Sequence, residues 1–242
     1  MLLSPAANLA FAHYPKSAGH SLVTWFRETL PDATFVEPPQ VYTISHLPVR
    51  DSLERLGLAA GRPPRLVQGW QQFVAALFSA PANDAGGLKI IGVMREPFEM
   101  LVSLYEYWRT YDFPEPPAPP LIRAAREQPF RDFLAMAVVD RQIQTYHDFF
   151  DVGGPAWPRT LLLDFESLKP ALVEACRELG VPPPEFLARR NTGPRPDRDL
   201  GPYRAEAGPL LDRVHQHFRW YYTQGKELML RGGGRPRSSK SG

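Results

Sequence analysis

Cysteine is almost missing from this chain: Cys176 is the only one among 242 residues. A single thiol excludes an internal disulfide and cannot build a cysteine metal site by itself. Leu172, Cys176 and Leu179 recur at helical spacing and share a face, so the thiol is expected in the core. A strong charge imbalance is also missing. Formal net charge is +2, which gives no general attraction to nucleic acid. No apolar run approaches the roughly 20 residues that span a bilayer. The N-terminus lacks the basic segment and long apolar stretch of a signal peptide. Together with the lone thiol, these absences lead us to expect a cytoplasmic protein without a transmembrane segment.

What is present suffices for a sizeable core, since 43% of the residues are apolar. The 27 prolines are spread along the chain, with clusters at Pro114–Pro120 and Pro182–Pro184 that read as stiff loops. Three short apolar runs, Asn8–Tyr14, Leu88–Met94 and Thr160–Phe165, read as buried strands, the first beginning close to Met1. A helical pattern follows each: Ser21–Leu30, Phe98–Tyr111 and Leu168–Leu179, the last closed by Gly180. Further helices are expected at Leu53–Leu58, Trp70–Phe78, Arg131–Phe150 and Ala207–Leu230. Strands alternating with helices predict an α/β fold of three layers, a central mainly parallel sheet flanked by helices. No repeat or linker divides it, so residues 1–231 are expected to form one domain. The basic, glycine- and serine-rich tail 232–242 is expected to be disordered.

Two segments carry chemistry. Tyr14-Pro15-Lys16-Ser17-Ala18-Gly19-His20-Ser21 lies between a strand and a helix. A helix N-terminus there presents unpaired N–H groups and the positive end of its dipole. Ser17, Ala18 and Gly19 are small enough to admit a phosphate. Lys16 adds a mobile charge, and Ser17 and Ser21 add hydroxyls. The loop is not a Walker A sequence, in which lysine follows the second glycine; here Lys16 precedes Gly19. The second segment, Arg95-Glu96-Pro97, ends the second strand, with Ser103 eight residues after Arg95. In open α/β sheets, ligands collect at the C-terminal ends of strands. Pro97 suits the first turn of a helix. An arginine there offers a charge-assisted fork to phosphate, and Ser103 adds a hydroxyl.

Together the two segments resemble the sulfotransferases that use 3′-phosphoadenosine 5′-phosphosulfate (PAPS). Tyr14–Ser21 is similar to their Pro-Lys-Ser/Thr-Gly-Thr-Ser loop, with His20 where Thr or Ser is usual. Arg95-Glu96-Pro97 with Ser103 is similar to their Arg-Asp/Asn-Pro segment, with Glu96 in place of Asp or Asn. Leu161–Leu168 resembles the later family strand that ends aromatic-Glu-x-Leu. The spelling Pro-Lys-Ser-Ala-Gly is nearest the carbohydrate-type branch and its bacterial relatives. The resemblance spans residues 8 to about 190 and implies a P-loop-like fold.

The resemblance implies a division of roles. Lys16, catalytic, would contact the bridging oxygen of the donor, and Ser17, Ala18, Gly19, His20 and Ser21 would hold its 5′-phosphate. Arg95 and Ser103 would hold the 3′-phosphate that distinguishes this donor from ATP. The product would be adenosine 3′,5′-bisphosphate (PAP), and no metal would be required. The acceptor would be a hydroxyl-bearing small molecule or glycan, and it needs a base. His46 is the first choice; His20 and Glu99 replace it if Gln68-Gly69-Trp70 marks the family's Gly-His position. The basic loop Arg189–Arg195 would close over the nucleotide. Tyr105, Tyr107, Trp108 and Trp70 are divided between core and acceptor pocket. His13 is expected inside the first strand, His147, His215 and His217 are expected to be structural, and so is Asp164. A P-loop kinase using Mg-ATP and a nucleotide-binding relative without catalysis remain as alternatives, and a homodimer is left open.

Overall fold

A computed structural model describes residues 1–36, 46–56, 87–110, 119–187 and 199–232. The expectations for Trp70–Phe78, Gln68–Trp70 and Arg189–Arg195, most of Pro114–Pro120 and all but the first residue of the tail lie outside them.

The architecture follows from alternation along short strands. β1 (Leu2–Ser4), β2 (Leu9–Ala12), β3 (Thr34–Phe35), β4 (Lys89–Met94) and β5 (Thr160–Asp164) form one sheet in the order β3-β1-β2-β4-β5. Successive side chains of a strand point to opposite faces. Leu9, Phe11, Ile91, Val93, Leu161 and Leu163 therefore meet on one face. Helix α1 (Gly19–Thr29) covers it with Leu22, Trp25 and Phe26, and α7 (Leu168–Leu179) with Leu172 and Cys176. Ala10, Ala12, Ile90, Met94 and Leu162 form the other face. It packs against α3 (Pro97–Thr110), α4 (Pro120–Glu127), α5 (Phe130–Val138), α6 (Tyr146–Phe149) and α9 (Leu210–His217). Each fully buried Leu or Phe contributes about 1.5–3 kcal/mol, so both faces of the sheet hold the site's framework in place.

The sheet is mixed, with its parallel strands together at its centre and one side. β2, β4 and β5 run parallel, whereas β1 is antiparallel to both β2 and β3. β2 falls within the expected strand Asn8–Tyr14, whereas β1 and the hairpin it forms with β2 were not expected. Its turn, Pro5 to Asn8, closes through the Asn8 N–H on the Pro5 carbonyl, with Asn8 left-handed at φ 50°. Asn tolerates that conformation. Asp32 then anchors the turn by accepting from the Ser4 hydroxyl at 2.6 Å and the Ala6 N–H at 2.8 Å.

Two long helices expected from the sequence are each broken. Arg131–Phe150 divides into α5 and α6. Arg141 turns left-handed, and the Thr145 hydroxyl accepts the Asp148 N–H at 3.1 Å, which starts a new helix. Ala207–Leu230 divides into α9, a π-helical turn at Tyr221–Gly225 and the short α10 (Lys226–Leu228). Before them, α8 (Gly201–Ala207) ends at Gly208, φ 49°, with Pro209 following. The Leu53–Leu58 expectation corresponds to the earlier α2 (Val49–Arg55). Leu168–Leu179 is found with the expected ends, and Gly180 closes it at φ 73°.

Candidate functional site

β2 and β4 are parallel neighbours in which Ala12 pairs with Gly92. Both chains therefore leave the sheet at the same edge, one towards Lys16 and the other towards Arg95. The first turn is bent hard. Lys16 and Ala18 are both left-handed, each at φ 57°, a conformation that costs a non-glycine residue about 1–2 kcal/mol. Alternating backbone signs of this kind shape a concave array of N–H groups. Ala18 is the N-cap of α1 and has no side chain to satisfy the helix's first donors. Ser17 is buried, with its hydroxyl 3.4 Å from the Pro15 carbonyl, and Ser21 is nearly buried in the first turn. His20 is half-buried beside it.

Gly19 has a different explanation from the close approach of a phosphate. A Cβ there would stand 1.8 Å from His13 Nε2. The His13 imidazole fills the space beneath the turn and stacks against His46 with ring centroids 4.4 Å apart. His46 Nδ1 lies 3.2 Å from the His13 carbonyl, which can only accept, so Nδ1 carries the proton and Nε2 has the lone pair. Burial, reinforced by His46, holds His13 well below the usual histidine range. Burial lowers His46 to about 4, although its bond to the His13 carbonyl opposes the shift. Both rings are neutral at pH 7.

The second turn is scaffolded by side chains. Glu96, where the resemblance has Asp or Asn, caps α3: its carboxylate accepts the Glu99 N–H at 2.8 Å and the Tyr222 hydroxyl at 2.6 Å. Arg95 lies with its guanidinium 4.5 Å over the Phe165 ring and 3.4 Å from the Glu99 carboxylate. Its Nε is buried and finds no acceptor among the described residues. Tyr146 holds the backbone, accepting the Arg95 N–H at 3.2 Å and donating to the Arg95 carbonyl at 2.9 Å. The same ring packs 4.5 Å from Tyr14, at the start of the first turn. One buried tyrosine thus braces both turns.

Helix α3 relates the two cations. Glu99, Ser103 and Tyr107 follow each other at four-residue spacing and lie on one face. Arg95 meets Glu99 at one end, and the Lys16 ammonium sits 4.0 Å over the Tyr107 ring at the other. Eight residues of helix span about 12 Å, with buried Ser103 halfway. An elongated dianionic ligand fits this arrangement: a cation at each end, a hydroxyl between, and helix donors beside one end.

The structure brings Lys16, Ser17, Ala18, Gly19, His20, Ser21, His46, Arg95 and Ser103 to one edge of the sheet. Asp164, at the end of β5, receives the Ser167 hydroxyl and an ion pair from Arg231 at 3.6 Å, a structural role. Tyr105 and Trp108 pack into the aromatic core around Phe133, while Tyr107 belongs to the site. His217 Nε2 donates to the Ile143 carbonyl at 2.8 Å and holds α9 to the segment before α6. Sequence reasoning missed Tyr146, Phe165 and the capping role of Glu96. Tyr146 is 51 residues from its partner and has no local signature; Phe165 was visible as the aromatic of the later strand. Among the described residues, no three His, Cys, Asp or Glu side chains gather as a metal site would. No described helix is long and apolar enough to cross a membrane. No family model, curated protein or solved structure matches the chain, so its function has to be argued from the geometry of these two turns.

Proposed function

We propose that this chain is a sulfotransferase moving a sulfuryl group from PAPS to the hydroxyl of a carbohydrate or another alcohol. The carrying observation is the pair of cations on one helical face, Lys16 at Tyr107 and Arg95 at Glu99, with Ser103 between them. In support, the strand–turn–helix unit β2–α1 presents a helix N-terminus where an anion can be held. In this reading the N-terminus of α1 and Ser21 hold the 5′-phosphate, while Arg95 and Ser103 hold the 3′-phosphate.

The reaction balances simply. The acceptor oxygen forms a bond to sulfur as the bond from sulfur to the bridging oxygen breaks. The bridging electron pair stays with the departing 5′-phosphate, whose charge Lys16 neutralises. The acceptor proton passes to a base, and in this reading His46, whose Nδ1 donates to the His13 carbonyl, takes that role through Nε2. The protein's task is positioning and charge neutralisation, as in phosphoryl transfer. Lys16 must leave the Tyr107 ring to reach the donor, a move that exchanges a cation–π contact of about 0.5–2 kcal/mol for a full ion pair.

One observation favours a second reading, a nucleotide-binding relative without transfer chemistry. Burial leaves His46 at about 4, well below the match to neutral pH that a general base prefers. The two readings and a kinase separate in one experiment. PAP without metal should raise the melting temperature, whereas a kinase would respond to Mg-ATP. Transfer of labelled sulfate from PAPS to a panel of sugars and simple alcohols then distinguishes enzyme from binder. Stabilisation by Mg-ATP and not by PAP would refute the proposal.

A further inference from the structure

The guanidinium of Arg95 is occupied, but poorly. Among the described residues its one carboxylate contact, to Glu99, is long at 3.4 Å and uses a single nitrogen. Its Nε is buried without an acceptor among the described residues. A good carboxylate or phosphate partner would use two nitrogens in parallel at about 2.7–2.9 Å. The ring of Phe165 fixes the guanidinium plane on one side. Tyr146 fixes the backbone from which the side chain springs. The arginine is therefore held in place with part of its hydrogen-bonding capacity unused. Glu99 lies in the first turn of α3, where the helix dipole also favours a carboxylate. Its backbone N–H, not its carboxylate, serves the helix cap, and its side chain is a third exposed.

We propose that Glu99 determines anion specificity at Arg95: its carboxylate stands in for the ligand's anionic group and competes with it. This rests on the reading above, in which that group is the 3′-phosphate of the donor. A phosphate dianion brought to Arg95 must displace Glu99 and remain near its negative charge. Glu166 adds to the same field. Its carboxyl is raised by burial and then by Glu99, and lowered by Arg95. A carboxylate already on the guanidinium makes the turn selective. A group with one charge, or none, gains too little to displace Glu99, whereas a dianion that can use Nε and a terminal nitrogen together gains enough. Arg95 is kept ordered before the ligand arrives, and weak anions are refused.

The test is titration calorimetry without metal, comparing the wild-type chain with Glu99→Gln. The probes are PAP and adenosine 5′-monophosphate, which lacks the 3′-phosphate. Removing the competing charge should tighten PAP binding about fivefold, as expected for one nearby charge in a partly solvated site, and should leave the monophosphate within twofold. Acetate, a singly charged anion that the wild type refuses, and inorganic phosphate should both compete with PAP better in the variant; acetate competing no better would overturn the refusal of weak anions. Thermal melts of both proteins check the fold, and Glu99→Ala should repeat the gain without the amide. Unchanged or weaker PAP binding by both variants, with the wild type binding PAP, would overturn the role of Glu99 alone. Equal tightening of both nucleotides would overturn competition at Arg95, since the monophosphate places no anion there. If neither protein binds either nucleotide, the reading of the site falls and this inference falls with it.

Discussion

The Lys16 turn and the Arg95 turn sit at the ends of neighbouring strands and are built by opposite means. The first is shaped by backbone: two non-glycine residues at φ 57°, an N-cap without a capping side chain, and a glycine required by the ring beneath it. The second is shaped by side chains: Glu96 on the helix N-terminus, Tyr222 on Glu96, Tyr146 on both backbone groups of Arg95, and Phe165 under the guanidinium. Their surroundings differ in charge as well. Neutral imidazoles lie under the first turn, and carboxylates flank the second. A backbone cradle leaves its donors pointing outwards for a group whose charge changes during reaction. A side-chain scaffold suits a group that is gripped and not altered. Under the proposed reading, the first turn carries the chemistry and the second the recognition.

Breaking the first turn should have the largest effect. Lys16→Ala should lower the rate of sulfuryl transfer at least about 100-fold, the scale of losing one charge-stabilising group. Its melting temperature should stay near that of the wild type, because the half-buried side chain gives up mainly a cation–π contact. Comparable transfer rates in the two proteins would remove the assigned role. Arg95→Ala should weaken PAP about 10- to 100-fold, the worth of a charge-assisted bond of about 1.5–3 kcal/mol. Binding of adenosine 5′-monophosphate should change little, so the ratio of the two affinities measures whether recognition resides in the second turn.

Tyr146→Phe keeps the ring against Tyr14 and removes the hydroxyl from Arg95. It should cost about 1–3 kcal/mol of stability, since the Arg95 N–H is left without its acceptor, read by denaturant unfolding. If Tyr146 couples the turns, PAP affinity should fall by more than monophosphate affinity; an equal fall would make it structural only.

The smallest expected effect concerns pH and sharpens the contrast from the first turn's side. His13 and His46 are held below the unfolded value of 6.5, His46 at about 4. The unfolded chain therefore takes up protons first as pH falls, so stability is full above about 6.5 and declines towards pH 4. Because His46 is only partly shielded from solvent, its share is about 1–2 kcal/mol. Unfolding free energy measured from pH 7.5 to 4 should show the decline, and His46→Phe should flatten it. A wild-type profile without slope between pH 6.5 and 4.5 would mean that neither ring is held neutral.

Much of the framework was legible. Leu168–Leu179 carries a helical stripe and a terminal glycine, both local signals, and its ends were recovered. The runs Lys89–Met94 and Thr160–Asp164 are apolar because both sheet faces are covered. Lys16 and Arg95 were legible as cations at strand ends. The hairpin β1–β2 was not, because three residues leave too short a pattern. The break at Thr145 had a signal, a threonine three residues before Asp148, overridden by the continuing apolar spacing around it.

Composition, spacing and turn chemistry by themselves determined which segments become strands and helices, and that cationic residues follow two of the strands. Such signals act over a few residues, within reach of a helical turn or a strand's alternation. Only the tertiary structure decided that Tyr146 clasps Arg95, that His13 lies under Gly19, that Glu99 occupies the guanidinium and that Lys16 rests on Tyr107. Glu99 is near Arg95 in sequence, yet its competition depends on where Phe165 and the buried backbone force the guanidinium to lie. The Tyr146 and Lys16 contacts join residues far apart in the chain, and it is sheet register and core packing that bring them together.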